Sequence, residues 1–265
     1  WSYVGLTDYN HSIKDAIVPI LIAEVGRITA TNPIVFIEKE KSLGLYSLQS
    51  LLPEMNLMID KNGKWINRYI PARYRSLPFV LAKNSEDKSS EEKVLCFIDD
   101  LNCVSKSFDK KSTKIFDKNN QLSEDMQKIF EFLKNIEQNQ SLTQKALQSI
   151  QKVGVLEDWQ LSIKLTDGEK KMTGLKKIAV EKLKNLSKEK LYQLNQTGGL
   201  DICFASIFSL NNIENLKDLL IGKTQIKEKD IKTKSIRDIT IEKQNKQKKE
   251  EMDDLVKNLL TDNEL

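Results

Sequence analysis

Leu57-Met58-Ile59-Asp60-Lys61-Asn62-Gly63-Lys64-Trp65-Ile66-Asn67-Arg68-Tyr69-Ile70-Pro71-Ala72-Arg73-Tyr74-Arg75-Ser76-Leu77-Pro78-Phe79 is the stretch whose reading decides the fold class. Asn62-Gly63 stands between two apolar runs, and this dipeptide tolerates the positive φ angles of a tight type I′ turn, so a β-hairpin is expected. Alternation along a strand from Trp65 would put Trp65, Asn67 and Tyr69 on one face and Ile66, Arg68 and Ile70 on the other. Arg68 would then stand among apolar side chains and need a partner. Two prolines, Pro71 and Pro78, bound an exit that carries Arg73 and Arg75.

Working upstream, Ile34-Val35-Phe36-Ile37 is a continuous apolar run of strand length, and Gly44 to Leu52 alternates as a second strand. Before them, Ile20, Leu21, Ala23 and Ile28 suit a short helix with Pro19 in its first turn, ended by Asn32-Pro33. Downstream, the polar stretch from Lys83 to Lys93 reads as a loop before a strand from Val94 to Ile98. Ser123 can cap a helix bearing Met126, Ile129, Phe130 and Leu133. Leu142 to Val153 repeats that spacing before Gly154, which predicts an antiparallel helix pair. A second hairpin is expected from Trp159 to Leu175 around Thr166-Asp167-Gly168-Glu169. Two short helices follow, with a stop at Gly198-Gly199 and a buried segment from Leu200 to Leu210. The whole is expected to be α+β: mainly antiparallel sheet with hairpins, packed by short helices, over residues 1–221. A polar, Lys- and Glu-rich tail takes up 222–265, disordered or with an exposed helix from Ile241 to Leu260.

Length and composition fit a folded chain: 265 residues, 39% hydrophobic and 30% charged. The net charge of +4 is the small difference of 42 Lys and Arg against 38 Asp and Glu, too balanced to draw in nucleic acid. No apolar stretch reaches the roughly 20 residues that span a bilayer. Three cysteines, Cys96, Cys103 and Cys203, give neither a disulfide framework nor a CxxC site, and a reducing, cytoplasmic setting fits them, as buried apolar thiols. Trp1 rather than Met opens the chain, so a preceding segment is expected.

The single histidine, His11, leaves zinc sites and Ser-His-acid triads without their imidazoles, so no metal or cofactor is expected. Guanidinium groups bind carboxylates and phosphates bidentately and stack on aromatic rings. Arg68, Arg73 and Arg75, beside Tyr69 and Trp65, are therefore the candidate anion- or partner-binding set. The alternative is an internal ion pair from one of these arginines to Glu24 or Asp99. Asp99-Asp100 at a strand end could act in acid–base chemistry, or simply accept turn hydrogen bonds. Nothing resembles a phosphate loop.

Val18-Pro19 with Glu24, Asn32-Pro33-Ile34-Val35-Phe36, Asn56-Leu57, Gly63-Lys64-Trp65, Tyr69-Ile70-Pro71-Ala72, Arg75 and Pro78-Phe79 together resemble the SapC family of bacterial proteins. Ile98-Asp99, Ile115-Phe116-Asp117, Gly174-Leu175, Thr197-Gly198-Gly199-Leu200 and Ser209-Leu210 continue the likeness, from about Val18 to Leu220. After Phe116 the family usually carries a Gly in its turn; this chain has Asn119-Asn120, and Asn tolerates the same left-handed conformation. The resemblance implies a link to bacterial surface layers and assigns no reaction. Two readings follow: an accessory protein that binds a protein or an anionic small molecule, or an envelope enzyme acting on a peptide, saccharide or acyl group. In the second, Glu24 or Asp99 would be acid or base and an arginine the clamp.

Overall fold

Ile34-Val35-Phe36 is apolar on both sides because the strand it forms is covered on both sides, and all three residues are fully buried. The structure, a computed structural model, describes residues 1–40, 42–83, 93–107, 112–165 and 168–224. Its strands are β1 (Ser2–Tyr3), β2 (Ile17–Pro19), β3 (Ile34–Lys39), β4 (Ser42–Leu48), β5 (Phe79–Lys83), β6 (Lys93–Phe97), β7 (Val104–Ser105), β8 (Thr113–Lys114), β9 (Leu156–Leu165) and β10 (Gly168–Ile178). The helices are α1 (Val25–Ile28), α2 (Ala72–Arg75), α3 (Glu124–Val153), α4 (Val180–Lys184), α5 (Lys188–Gln196), α6 (Gly199–Ser209) and α7 (Ile213–Thr224). None of the described helices is long and apolar enough to cross a membrane.

The central sheet has five antiparallel strands in the order β2-β4-β3-β10-β9, with Phe36 opposite Leu45 and Ile37 opposite Leu175. Strand alternation sorts its core. Ile34, Phe36, Leu43 and Leu45 pack against Ala146, Leu147 and Ile150 of α3 and Ile202 and Cys203 of α6. Val35, Leu48, Trp159, Leu161 and Leu175 face the other way, onto Leu57, Met58 and the Leu216 and Leu220 side chains of α7. Two serines of α6 reach into the sheet: Ser206 Oγ donates to the Ile34 carbonyl and Ser209 Oγ accepts from the Ile34 N–H. At Gly199, α6 comes so close to α3 that an added Cβ would stand 2.7 Å from Ser149 Oγ.

The smaller strands form two separate patches, β5-β6 and β7-β1-β8, which pack Phe79 and Ile115 on Met126 and Leu133 in the N-terminal half of α3. The expected antiparallel architecture with short helices is therefore present, including β3, the strand pair β9–β10 and the left-handed turn at Asn120, whose φ is 60°.

Four local expectations need correction. The predicted helix pair is one helix of 30 residues. Ser123 caps its start by accepting from the Met126 N–H, Gly154 ends it at φ 75°, and between them 134–141 holds no Gly or Pro to break it. The Asn62-Gly63 turn is not type I′, because only Gly63 has positive φ; Asp60 organises it, its side chain accepting from the N–H groups of Asn62 and Lys64. The hairpin is cut to one antiparallel bridge, Ile59 to Trp65, with the Ile66 N–H on the Met58 carbonyl, and 66–70 is irregular, so Arg68 is exposed rather than set among apolar neighbours. Within Leu200 to Leu210, Phe204 and Phe208 are exposed and stacked at 6.1 Å. Of the cysteines, only Cys203 is buried, its thiol pushed up to about 12 by burial; Cys96 and Cys103 are half-buried. Most of the loop expected from Lys83 to Lys93, the turn at Thr166-Asp167 and the helix expected from Ile241 to Leu260 lie outside the described residues.

Candidate functional site

The irregular segment after Trp65 is held by side chains rather than by a sheet. Asn67 donates to Asn32 Oδ1 at 2.7 Å, and the buried Asn32 donates in turn to the Leu48 carbonyl at the end of β4. Trp65 donates its indole N–H to the Tyr69 carbonyl at 3.0 Å and packs its ring against Tyr9 and Tyr74. Tyr74 is anchored by its hydroxyl on Asp15, and burial first, then the Asp15 charge, raises its phenol pKa strongly. These contacts fix the backbone on both sides of Tyr69.

Glu24 is the second fixed point. It is 3% exposed, at the end of the short turn that leads into α1. Its Oε2 accepts from the Leu21 N–H at 2.9 Å, and its Oε1 accepts from the Ala72 N–H at 2.6 Å and from the Tyr69 hydroxyl at 3.0 Å. Three protein donors on one buried carboxylate make it a staple between the segment before α1 and the start of α2. Occupied in this way, Glu24 lacks the open oxygen that acid–base chemistry on a bound molecule needs.

Tyr69 then carries two arginines. Arg75 donates from Nε to the Ile70 carbonyl at 3.0 Å and from Nη2 to the Tyr69 hydroxyl at 2.9 Å. Its guanidinium lies 5.3 Å from the Tyr69 ring centre and 4.9 Å from that of Phe132 on α3. Arg27 of α1 stands 5.5 Å from the Tyr69 ring. The Tyr69 phenol pKa is raised, by burial first and next by the Glu24 charge, which keeps the proton that it donates to Glu24. The result is a relay in which Arg75 reaches Glu24 only through a tyrosine hydroxyl. Among the described residues no arginine lies within 4.0 Å of a carboxylate, so the internal Arg–Glu24 or Arg–Asp99 ion pair is not formed.

Arg27, Tyr69, Arg75, Phe132, Asn135 and Asn139, with the buried Glu24 in the wall behind Tyr69, line a cleft of about 230 Å³ between α1, α2 and the middle of α3. Guanidinium has five N–H donors, and Arg75 directs two of them at protein acceptors, so three remain for a bound group. Two aromatic rings close to the guanidinium restrict the fork without using those donors. Asn139 donates to the Asn135 carbonyl at 2.8 Å, which leaves its own oxygen free to accept. The arrangement suits an anion that also carries a donor.

The candidates named from sequence separate in space. Of the expected set, Tyr69 and Arg75 are in contact. Trp65 stands behind them as a support. Arg73 is exposed and lines a different, larger groove, and Arg68 is exposed and lines neither. Asp99 lies in an exposed turn after β6, its carbonyl accepting from Asn102, while Asp100 borders a depression with His11 and Cys103. Burial lowers the His11 pKa, partly offset by Asp15 and Asp8. Among the described residues no three His, Cys, Asp or Glu side chains are grouped to hold a metal. Sequence reading missed Arg27, Phe132, Asn135 and Asn139. Arg27 follows Glu24 by one helical turn, a weak signal, and the α3 residues carried none while the helix was read as two.

No curated protein and no solved structure matches the chain. The SapC family model matches residues 4–216, beginning earlier than the likeness visible from Val18 and ending close to it, and with most of its length so covered the chain belongs to the SapC family.

Proposed function

We propose that this chain is an accessory binding protein of bacterial cell-surface functions that holds a carboxylate- or phosphate-bearing partner between Arg27 and Arg75. The cell-surface role rests on membership of the SapC family, whose name links it to surface layers. The anion rests on one observation: two guanidinium groups lie against a single tyrosine ring with no carboxylate within 4.0 Å of either among the described residues, the charge of Glu24 reaching Arg75 only through the Tyr69 hydroxyl, and Arg75 is held by a carbonyl, a hydroxyl and two aromatic rings. A fixed fork loses little freedom when an anion docks, so its charge-assisted hydrogen bonds are realised nearly in full.

Titration with succinate and with inorganic phosphate, followed by the 15N resonance of Arg75 Nε, tests the reading. Saturable shifts are expected in the wild type, with affinity falling roughly tenfold in Arg27→Gln, as the loss of one charge-assisted bond predicts. Arg75→Gln should abolish binding of either anion, measured by calorimetry, at an unchanged melting temperature. Unperturbed Arg75 resonances at saturating concentrations of both anions would sink the proposal, and a collapse of stability in Arg75→Gln would make Arg75 structural.

A further inference from the structure

On the far side of the wall formed by Leu21, Glu24, Ala72 and Ile136 lies a second groove, of about 480 Å³, between α3 and the margin of the central sheet. Its sheet side runs to the margin of β4, where among the described residues Leu43 has outward backbone groups that no strand pairs. β2 pairs with β4 only as far as Pro19 opposite Tyr46, after which the Ile20 N–H bonds the Leu45 carbonyl. Backbone groups alternate in direction along an antiparallel strand, so the N–H and C=O of Leu43 point the same way as those of Leu45. No described strand pairs with them there. Gly44, Leu45 and Tyr46 line the groove beside this edge. Across from it, Phe79, Val80 and Leu81 of β5 line the other wall, and β5 is paired on one side only, with β6.

The helix side is equally suited to a polypeptide. Leu133, Ile136 and Leu147 give it an apolar floor, and Gln140 and Gln144 line it with side-chain amides that make no hydrogen bond to a described residue. A primary amide both donates and accepts, which matches a peptide backbone and not a hydrocarbon chain. Of the charged groups that line the groove, Glu24 is occupied by its three donors and Glu137 is paired with Lys93 at 2.7 Å. Arg73 has no carboxylate within 4.0 Å among the described residues. The exposed charge without a charged partner is therefore that of Arg73, while the charge of Glu24 stays buried behind neutral donors.

We propose that this groove binds an extended acidic peptide, which adds a strand to the edge of β4 at Leu43 and places its carboxylate on Arg73. Main-chain bonds to the edge supply affinity, alternate side chains enter the apolar floor, and the amides of α3 take the outward backbone groups. The site uses Arg73 and the sheet edge, not Arg27 and Arg75, and so stands independently of the anion cleft.

The test uses a pool of fluorescein-labelled peptides of roughly six residues, a usual strand length, alternating Val or Leu with Thr or Ser and ending in Asp. Fluorescence anisotropy with the full chain should show saturable binding. Methylating alternate backbone nitrogens should weaken it roughly tenfold by removing edge hydrogen bonds, and Asp→Asn in the peptide should weaken it roughly fivefold. Gln140→Trp and Gln144→Trp, which fill the groove from an exposed and a half-exposed helix position, should each abolish it with the melting temperature unchanged. Arg68→Gln, at an exposed arginine that lines neither cleft, should leave it intact. Equal binding of the N-methylated pool, no saturable binding to the wild type, or displacement by dodecanoate with affinity rising along the fatty-acid series would each overturn the proposal.

Discussion

The two halves of α3 are one continuous helix with different duties. From Thr143 to Val153 it buries Thr143, Ala146, Leu147, Ser149, Ile150 and Val153 against the central sheet and α6; from Glu124 to Leu142 it buries only Met126 and Leu133. The stretch between, 134–142, has no buried residue and forms walls of both clefts through Asn135, Ile136, Glu137, Asn139 and Gln140. A helix that leaves the core without unwinding offers a rigid rack of side chains, and here Phe132 and the amides take their positions from it. Sites built on a regular element are held more tightly than sites on loops.

Truncation should expose the contrast most strongly. Ile150→Ala, at a fully buried position in the larger cluster, is expected to lose about 4 kcal/mol, and Leu133→Ala, 4% exposed in the smaller cluster, about 2 kcal/mol, read by urea denaturation. Equal losses would mean that the N-terminal half is as deeply anchored as the C-terminal half. Next in size is Gln138→Pro, an exposed position in the middle of the polar stretch. A proline inside a continuous helix removes a hydrogen bond and clashes with the preceding turn, for about 3 kcal/mol. Tolerance of that proline, with unchanged far-ultraviolet circular dichroism, would restore the two-helix arrangement. The smallest effect belongs to the Lys93–Glu137 pair, 33% and 36% exposed, which ties the helix to β6. Glu137→Gln should lose less than about 1 kcal/mol, and less still in high salt. A larger loss would show that β6 depends on this contact for its position.

How far the sequence could be read depended on whether the cause of a structure was local. Ser123 and Gly154 were legible as caps because a hydroxyl oxygen and a left-handed glycine act on their own turn. Ile34-Val35-Phe36 was legible as a strand because burial on both faces leaves no polar residue in the run. The polar stretch 134–141 was misread because a run with a single apolar residue, Ile136, looks the same in a loop and in a helix that has left the core. Asn62-Gly63 was legible as a reversal of the chain but not in its turn type, because the dipeptide shows that a turn is allowed, whereas the type was set by the Asp60 side chain.

The candidate site divides in the same way. Sequence by itself determined the family likeness, the α+β class and the concentration of arginine and aromatic side chains around Tyr69. Only the tertiary structure decided which arginines act together. Arg75 meets Arg27 across the Tyr69 ring, Phe132 arrives from a helix more than fifty positions along the chain, and Arg73, two residues from Arg75, turns into a different groove. One helical turn, α2, separates the two side chains by direction although they are near neighbours in sequence. Spacing along a chain fixes which way residues point within an element, but the packing of elements fixes what they point at.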